Sequence, residues 1–366
     1  MRTWILSFCL LVAAVGAGLA ADEEPATGIP IDTAVFGALK ARSIGPAVMS
    51  GRVSALDAST RDPRLVYVGA ASGGIWKSRD GAVTFEPVFD DHSQSIGSLW
   101  MDQDRPDTVW AGTGEVWVRN SVSVGDGIYR TTNGGESWEK LGLERTERIG
   151  RIVIDPVDPD IVYAAALGPL WNASDERGLF KTTDGGATWQ KILYVDEDTG
   201  CADVAIVPGA PNLLFAAMWD FRRSPDFFHS GGPSSGLYRS HDAGKTWQRL
   251  EGGLPAGELG RIAVAVSAAR PGRIFAFVES EDSGFYRSDD MGETWERVND
   301  DRGIKERPFY FALVVPDPVD PDRVYKPGFV IRSSKDAGEN FRGLGGWVHV
   351  DYHALWINPA DPEHMY

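Results

Sequence analysis

Short runs of alternating apolar and polar residues, each closed by a turn signal, recur along this chain. Gly150-Arg-Ile-Val-Ile-Asp155 is one such run, and the proline-rich turn Pro156-Val-Asp-Pro-Asp160 ends it. Ile161-Val-Tyr-Ala-Ala-Ala166, Gly178-Leu-Phe-Lys-Thr182 and Thr188-Trp-Gln-Lys-Ile-Leu193 follow as further strand-like runs. The same order returns as Gly260-Arg-Ile-Ala-Val-Ala265, Arg273-Ile-Phe-Ala-Phe277, Gly284-Phe-Tyr-Arg-Ser288 and Thr294-Trp-Glu-Arg-Val298. Each unit predicts four short antiparallel strands, and no amphipathic helix is expected after the N-terminal segment.

The third and fourth strands of every unit are joined by one turn motif. Its six copies begin at Ser78, Thr131, Thr182, Ser240, Ser288 and Ser334, so they are 53, 51, 58, 48 and 46 residues apart. Each carries an acid or amide two residues on: Asp80, Asn133, Asp184, Asp242, Asp290 and Asp336. A four-stranded unit repeating at this period predicts an all-β propeller. The Asp side chain can accept turn amides, glycine takes the backbone angles other residues resist, and the closing Trp or Phe packs between sheets. These six residues are therefore expected to be scaffold.

The count of blades depends on the chain ends. After the sixth motif, Val350 to Pro359 resembles a new first strand, and His364-Met-Tyr366 the start of a second. Leu39-Lys-Ala-Arg-Ser-Ile-Gly45 resembles a fourth strand. The expectation is a seven-bladed β-propeller over residues 36–366, its last blade incomplete and closed by the N-terminal strand, in a chain truncated from a longer protein.

Composition adds a compartment and excludes a partner class. Residues 1–20 have a basic start, an apolar stretch and the small-residue site Gly18-Leu-Ala20, the pattern of a secretory signal peptide, and 21–35 is a loose leader. An exported chain, periplasmic or extracellular, is expected, with no membrane span after signal cleavage. Of the two cysteines, Cys9 lies in the signal, so Cys201 is left without a partner. The formal charge of -16 argues against nucleic acid. No cofactor is called for, and a monomer is expected.

The repeated turns are Asp-boxes, also called bacterial neuraminidase (BNR) repeats. With Arg42-Ser-Ile-Gly-Pro46, Gly73-Gly-Ile-Trp-Lys77, Gly112-Thr-Gly-Glu115, Arg119-Asn-Ser121, Gly125-Asp-Gly-Ile-Tyr129, Asp196-Glu-Asp-Thr-Gly200, Ser230-Gly-Gly-Pro233, Asn299-Asp-Asp-Arg302 and Asp351-Tyr-His353, the chain resembles exported bacterial sortilin N-terminal-domain-like or BNR-repeat glycosyl-hydrolase-like proteins. The resemblance implies fold and export, and much less about reaction.

Strand order places the Asp-boxes and Asp-Pro turns on one face and three long insertions, 112–126, 167–177 and 218–235, on the other. Long loops are where function concentrates. The last insertion carries Trp219, Arg222, Arg223, Phe228 and His229, suited either to binding or to packing the loop onto the ring. Arg52, Arg151 and Arg261 open three first strands and can clamp a carboxylate or bond neighbouring backbone. Glycoside hydrolysis needs two carboxylates; the channel offers Glu115, Asp203, Asp220, Glu279 and Asp351, of which Glu115, Asp203 and Asp351 are the catalytic candidates. Glu115 with Arg119 also fits an ion pair ordering its loop. His349, Asp351 and His353 alternate on one strand face and are candidate metal ligands. Two functions follow. The first is a module binding a protein, peptide or glycan on the long-loop face. The alternative is a glycoside hydrolase using channel-mouth carboxylates.

Overall fold

The computed structural model describes residues 52–119, 122–344 and 350–366. Six antiparallel sheets follow one another along the chain, five of four strands and one of five. Blade one runs from Val53–Ala58 to Glu86–Pro87 and blade two from Ile96–Met101 to Glu139–Lys140. Blade three is Ile149–Ile154, Val162–Ala166, Gly178–Thr182 and Gln190–Leu193, within two residues of the alternation in its sequence. Blade four spans Thr199–Val207 to Gln248–Arg249, blade five Leu259–Val266 to Glu296–Asn299, and blade six Val315–Pro316 to Arg342–Gly343. Apolar clusters fill the spaces between successive blades: Tyr163 and Leu179 of blade three meet Val204, Leu214 and Ala216 of blade four.

The expected seven-bladed ring is corrected to six blades. Among the described residues, 350–366 form a single bridge, Ile357 with Met365, and join no sheet. A two-stranded pairing without a third strand has too little partner surface to make a blade. Residues 36–46, the expected closing strand, lie outside the described residues, as do the signal and leader. The C-terminal segment instead spans from blade six to blade one. Arg323 of blade six pairs with Glu363 at 3.0 Å, and the Tyr366 hydroxyl donates to Pro63 O at 3.0 Å.

Each Asp-box is a closed set of hydrogen bonds. In blade three the Thr182 hydroxyl donates to Asp184 Oδ1 at 2.7 Å and accepts the Gly186 amide at 2.9 Å. The Thr188 amide and hydroxyl donate to the two oxygens of Asp184 at 2.9 and 2.6 Å. These bonds, the Thr188 hydroxyl first, hold the Asp184 carboxyl down at about 2, and the Thr84 hydroxyl and amide do the same for Asp80. In blade two Asn133 makes the equivalent bonds, its amide group donating to Ser137 Oγ at 2.9 Å. Two successive residues in each turn have positive φ. The first is near +60°, tolerable without glycine, and is Ala243 (58°), Met291 (62°) or Ala337 (55°) in three blades. The second lies at 82–95° in five blades and is glycine in all five, whereas Ala82 stands there in blade one at 63°.

The Asp-box also locks neighbouring blades. A basic residue on the third strand of one blade reaches the carbonyl of the first positive-φ residue in the next. Lys77 Nζ donates to Gly134 O at 2.5 Å, Arg130 to Gly185 O at 2.8 Å, and Lys181 to Ala243 O at 2.9 Å. Arg239 donates to Met291 O at 3.0 Å and Arg287 to Ala337 O at 3.4 Å. At the inner edge, side chains of one first strand satisfy the backbone of the next. The Ser54 hydroxyl donates to Ile96 O at 2.6 Å, and Ser98 Oγ accepts the Ile152 amide at 3.0 Å. Asp57 accepts the Met101 amide at 2.8 Å and Asp203 the Val264 amide at 3.0 Å. Unpaired edge groups of the innermost strands are thereby removed.

Candidate functional site

A cavity of about 510 Å³ runs along the axis, walled by the first strands of all six blades and by residues 353–355. Most of its wall is apolar, with Ser54, Ser98, Arg151, Asp203, Arg261 and His353 as the polar points. At the long-loop end the insertions fold together as one apolar cluster, with Val116, Trp117, Leu170, Trp219 and Phe221 meeting Tyr310 and Phe311.

Three of the candidate carboxylates take different places in this frame. Asp203 Oδ1 accepts Arg151 Nε at 2.8 Å and the Val204 amide at 3.0 Å, while Oδ2 takes Val264 N. Its carboxylate holds Arg151 above its ordinary pKa, against the opposing effect of burial. Glu115, 2% exposed, is paired with Arg52 and lies 3.7 Å from Arg119 Nε. Asp351 is exposed on a positive-φ turn, φ 75°.

The three first-strand arginines do not converge on one point. Arg52 pairs with Glu115 and Arg151 with Asp203. Arg261 is buried, donates to Val116 O and Phe309 O at 2.9 and 3.1 Å, and lies over the rings of Trp117 and Trp219. Burial lowers its pKa to about 10.

The third insertion is largely strand. The second strand of blade four extends over Ala210–Arg223 and turns back to pair with Phe228–Ser230. Trp219 is fully buried and stacks on Phe221 at 4.3 Å, so it packs the loop down and offers no outer surface. Phe228 leans on Phe309 at 4.5 Å, with the Arg223 guanidinium over its ring. Arg222 pairs with Asp198, and half-exposed His229 lies 3.5 Å from Asp220.

Asp220 and Glu279 differ from Glu115 and Asp203 in having no arginine partner among the described ion pairs. They flank the segment 229–232. Glu279 Oε2 accepts the Ser230 hydroxyl at 2.8 Å and the Arg261 amide at 2.7 Å. Burial raises the pKa of both carboxyls, and Asp196 adds to the effect at Asp220 after the opposing pull of His229. An open depression lined by Ser230, Glu258, Gly260 and Glu279 to Asp282 includes Glu279 in its wall. A partly buried acid with raised pKa in the wall of a depression, with a second such acid across the segment 229–232, is an arrangement that acid–base chemistry uses.

Among the described residues no group of three His, Cys, Asp or Glu side chains is placed to hold a metal ion, and His349 lies outside them. His353 is buried beneath Trp117 and Tyr310 while Asp351 faces solvent. Cys201 is buried, with its thiol pushed up by burial.

The BNR/Asp-box repeat family model matches residues 238–249, the third strand and Asp-box of blade four. Over 190 residues the chain is 30% identical to the probable oligoxyloglucan-reducing end-specific xyloglucanase of Neosartorya fischeri, covering 50% of this chain and 19% of that protein. Over 266 residues it is 26% identical to the xyloglucanase of Hypocrea jecorina, covering 62% and 29%. Among solved structures, the Niastella koreensis GH74 enzyme matches with a TM-score of 0.58 at 20% identity, over 78% of this chain and 45% of that one. That last likeness bears on the fold alone. The chain spans 19% and 29% of the length of these two curated relatives. With its six turns and four-stranded blades, the chain is a BNR-repeat β-propeller.

Proposed function

We propose that the protein is a glycoside hydrolase and that a xyloglucan-type glucan is its substrate class. The observation that carries this reading is the agreement among its relatives: four xyloglucanases are 25–30% identical over 50–62% of the chain. It favours the hydrolase over a module that binds without cleaving.

Glycosidic cleavage needs a proton donor for the leaving oxygen and a second carboxylate to assist water or attack the sugar. In this reading Glu279 is the proton donor, because burial raises its pKa and a general acid must still carry its proton near working pH. Asp220 is the second carboxyl. Glu115 and Asp203 are frame, since each is committed to arginine. Exposed Trp171 and Phe227, on the insertions of blades three and four, offer ring faces to sugars. Export of the protein through its N-terminal segment belongs to the same proposal.

The arginine pairing of Glu115 and Asp203 favours one second reading, glycan binding without turnover. Reducing-end release from xyloglucan, beside direct binding of the same polymer, separates the two. Loss of release with retained binding in both Glu279→Gln and Asp220→Asn supports the hydrolase. Binding with no release by the unaltered protein supports the second reading.

A further inference from the structure

The Arg151 side chain is 34% exposed, and the space it faces is the axial cavity, whose wall it lines. Its Nε donates to Asp203 Oδ1 at 2.8 Å, and Asp203 is its ion-pair partner among the described residues. Nη1 and Nη2 make no hydrogen bond among the described residues, and neither is sealed off by protein. The end of the guanidinium fork, whose two nitrogens match the two oxygens of a carboxylate, is thus open to the bore.

The other polar points of the wall are committed. Asp203 is buried and takes three donors: Arg151 Nε and the Val204 and Val264 amides. Ser54 and Ser98 bond backbone. Arg261 donates to two carbonyls against the rings of Trp117 and Trp219, and both nitrogens of His353 are buried. The rest is carbon, from residues such as Leu56, Leu99, Val153, Leu313 and Leu355. The open polar groups of the bore are therefore donors. An alcohol or amide brings a donor of its own that finds no open acceptor there, and an amine brings donors alone. A carboxylate brings only acceptors. Charge points the same way, because Arg151 and Arg261 share the field of one wall carboxylate, Asp203. Nearby Asp57 is turned to the Ala58 and Met101 amides, and burial raises its carboxyl to about 7, so it is only about half ionised near neutral pH.

We infer that the axial channel is a binding site for a small organic carboxylate, its two oxygens on Nη1 and Nη2 of Arg151 and its apolar body along the bore. The site stands apart from the glycan reading and uses neither Asp220 nor Glu279.

Equilibrium dialysis of the protein against p-toluate, p-toluamide and p-methylbenzylamine at millimolar ligand tests this, since the three share a tolyl body and differ in head group. The expected result is one p-toluate site, with p-toluamide bound about tenfold weaker, the effect of exchanging charge-assisted bonds for neutral ones, and the amine not retained. Arg151→Gln is expected to bring p-toluate down to the level of p-toluamide, with a melting curve confirming that the variant folds. Crystals soaked in p-iodobenzoate are expected to show the iodine in the bore and the carboxylate on Arg151, which decides the matter should Arg151→Gln not fold. No retention of p-toluate by the unaltered protein overturns the proposal. So does p-toluamide binding as tightly as p-toluate, a p-toluate preference that survives in Arg151→Gln, or iodine found only outside the channel.

Discussion

The carbonyl of Gly134 offers a direct test of how the blades are locked. It is buried and accepts two donors from blade one, Lys77 Nζ at 2.5 Å and the Tyr67 hydroxyl at 3.0 Å. Lys77→Met keeps the aliphatic stem and removes the charged donor. A hydrogen bond to a charged group contributes about 1.5–3 kcal/mol, offset in part because a buried ammonium no longer has to be desolvated, so a net loss of about 1.5 kcal/mol is expected. Tyr67→Phe removes a neutral bond worth about 1 kcal/mol. Either single change leaves the carbonyl one donor. The double change leaves it none and adds the penalty of an orphaned buried acceptor, about 1–3 kcal/mol. The double variant should therefore lose about 4 kcal/mol, well beyond the roughly 2.5 kcal/mol sum of the singles. Urea unfolding of the four proteins measures this. Additivity within about 0.5 kcal/mol would refute the shared-carbonyl account.

Three further outcomes follow from the same frame. Asp203→Ala leaves the buried Val264 amide and Arg151 without their acceptor and should cost about 3 kcal/mol, the Arg151 share being small because that side chain is about a third exposed; Asp203→Asn keeps an acceptor and should cost about 1 kcal/mol in the same unfolding assay. Ala82→Gly relieves a left-handed alanine where five blades have glycine and should stabilise by up to about 1 kcal/mol, read as a higher melting temperature. The Asp80 and Asp184 carboxyls, held at about 2, lie below the ordinary value of about 3.9, so their contribution is full above pH ~4 and lost as pH falls toward ~2. Melting temperature should fall across that window, and Asp184→Asn, which places an amide where blade two has Asn133, should make the fall shallower.

The blade plan was legible because it is local. Alternation places the strands of blade three to within two residues, and the Ser/Thr-x-Asp pattern marks each third-to-fourth turn. The interblade lock has a sequence signal too: Lys77, Arg130, Lys181, Arg239 and Arg287 each immediately precede the first Ser or Thr of an Asp-box. Blade number was not legible, because Val350 to Tyr366 resembles strands locally and the pairing that makes a sheet is long-range. At the candidate site, sequence brought up Asp220 and Glu279 among five carboxylates but put Glu115, Asp203 and Asp351 forward as the catalytic ones. What separates them is burial without arginine, a property of residues about 60 apart in the chain and set by packing. Trp219 has the composition of a binding surface, yet the extended second strand of blade four turns it into the core. His353 belongs to an expected strand face in the sequence and to the wall of the channel in the fold.

If Glu279 is the proton donor for glycan hydrolysis, reducing-end release from xyloglucan must separate the protein from Glu279→Gln. Measurable release by the unaltered protein is expected, with a fall of at least about 100-fold in kcat for Glu279→Gln while polymer binding and melting temperature are retained. Release by Glu279→Gln at the unaltered rate, or no release by the unaltered protein, would contradict it.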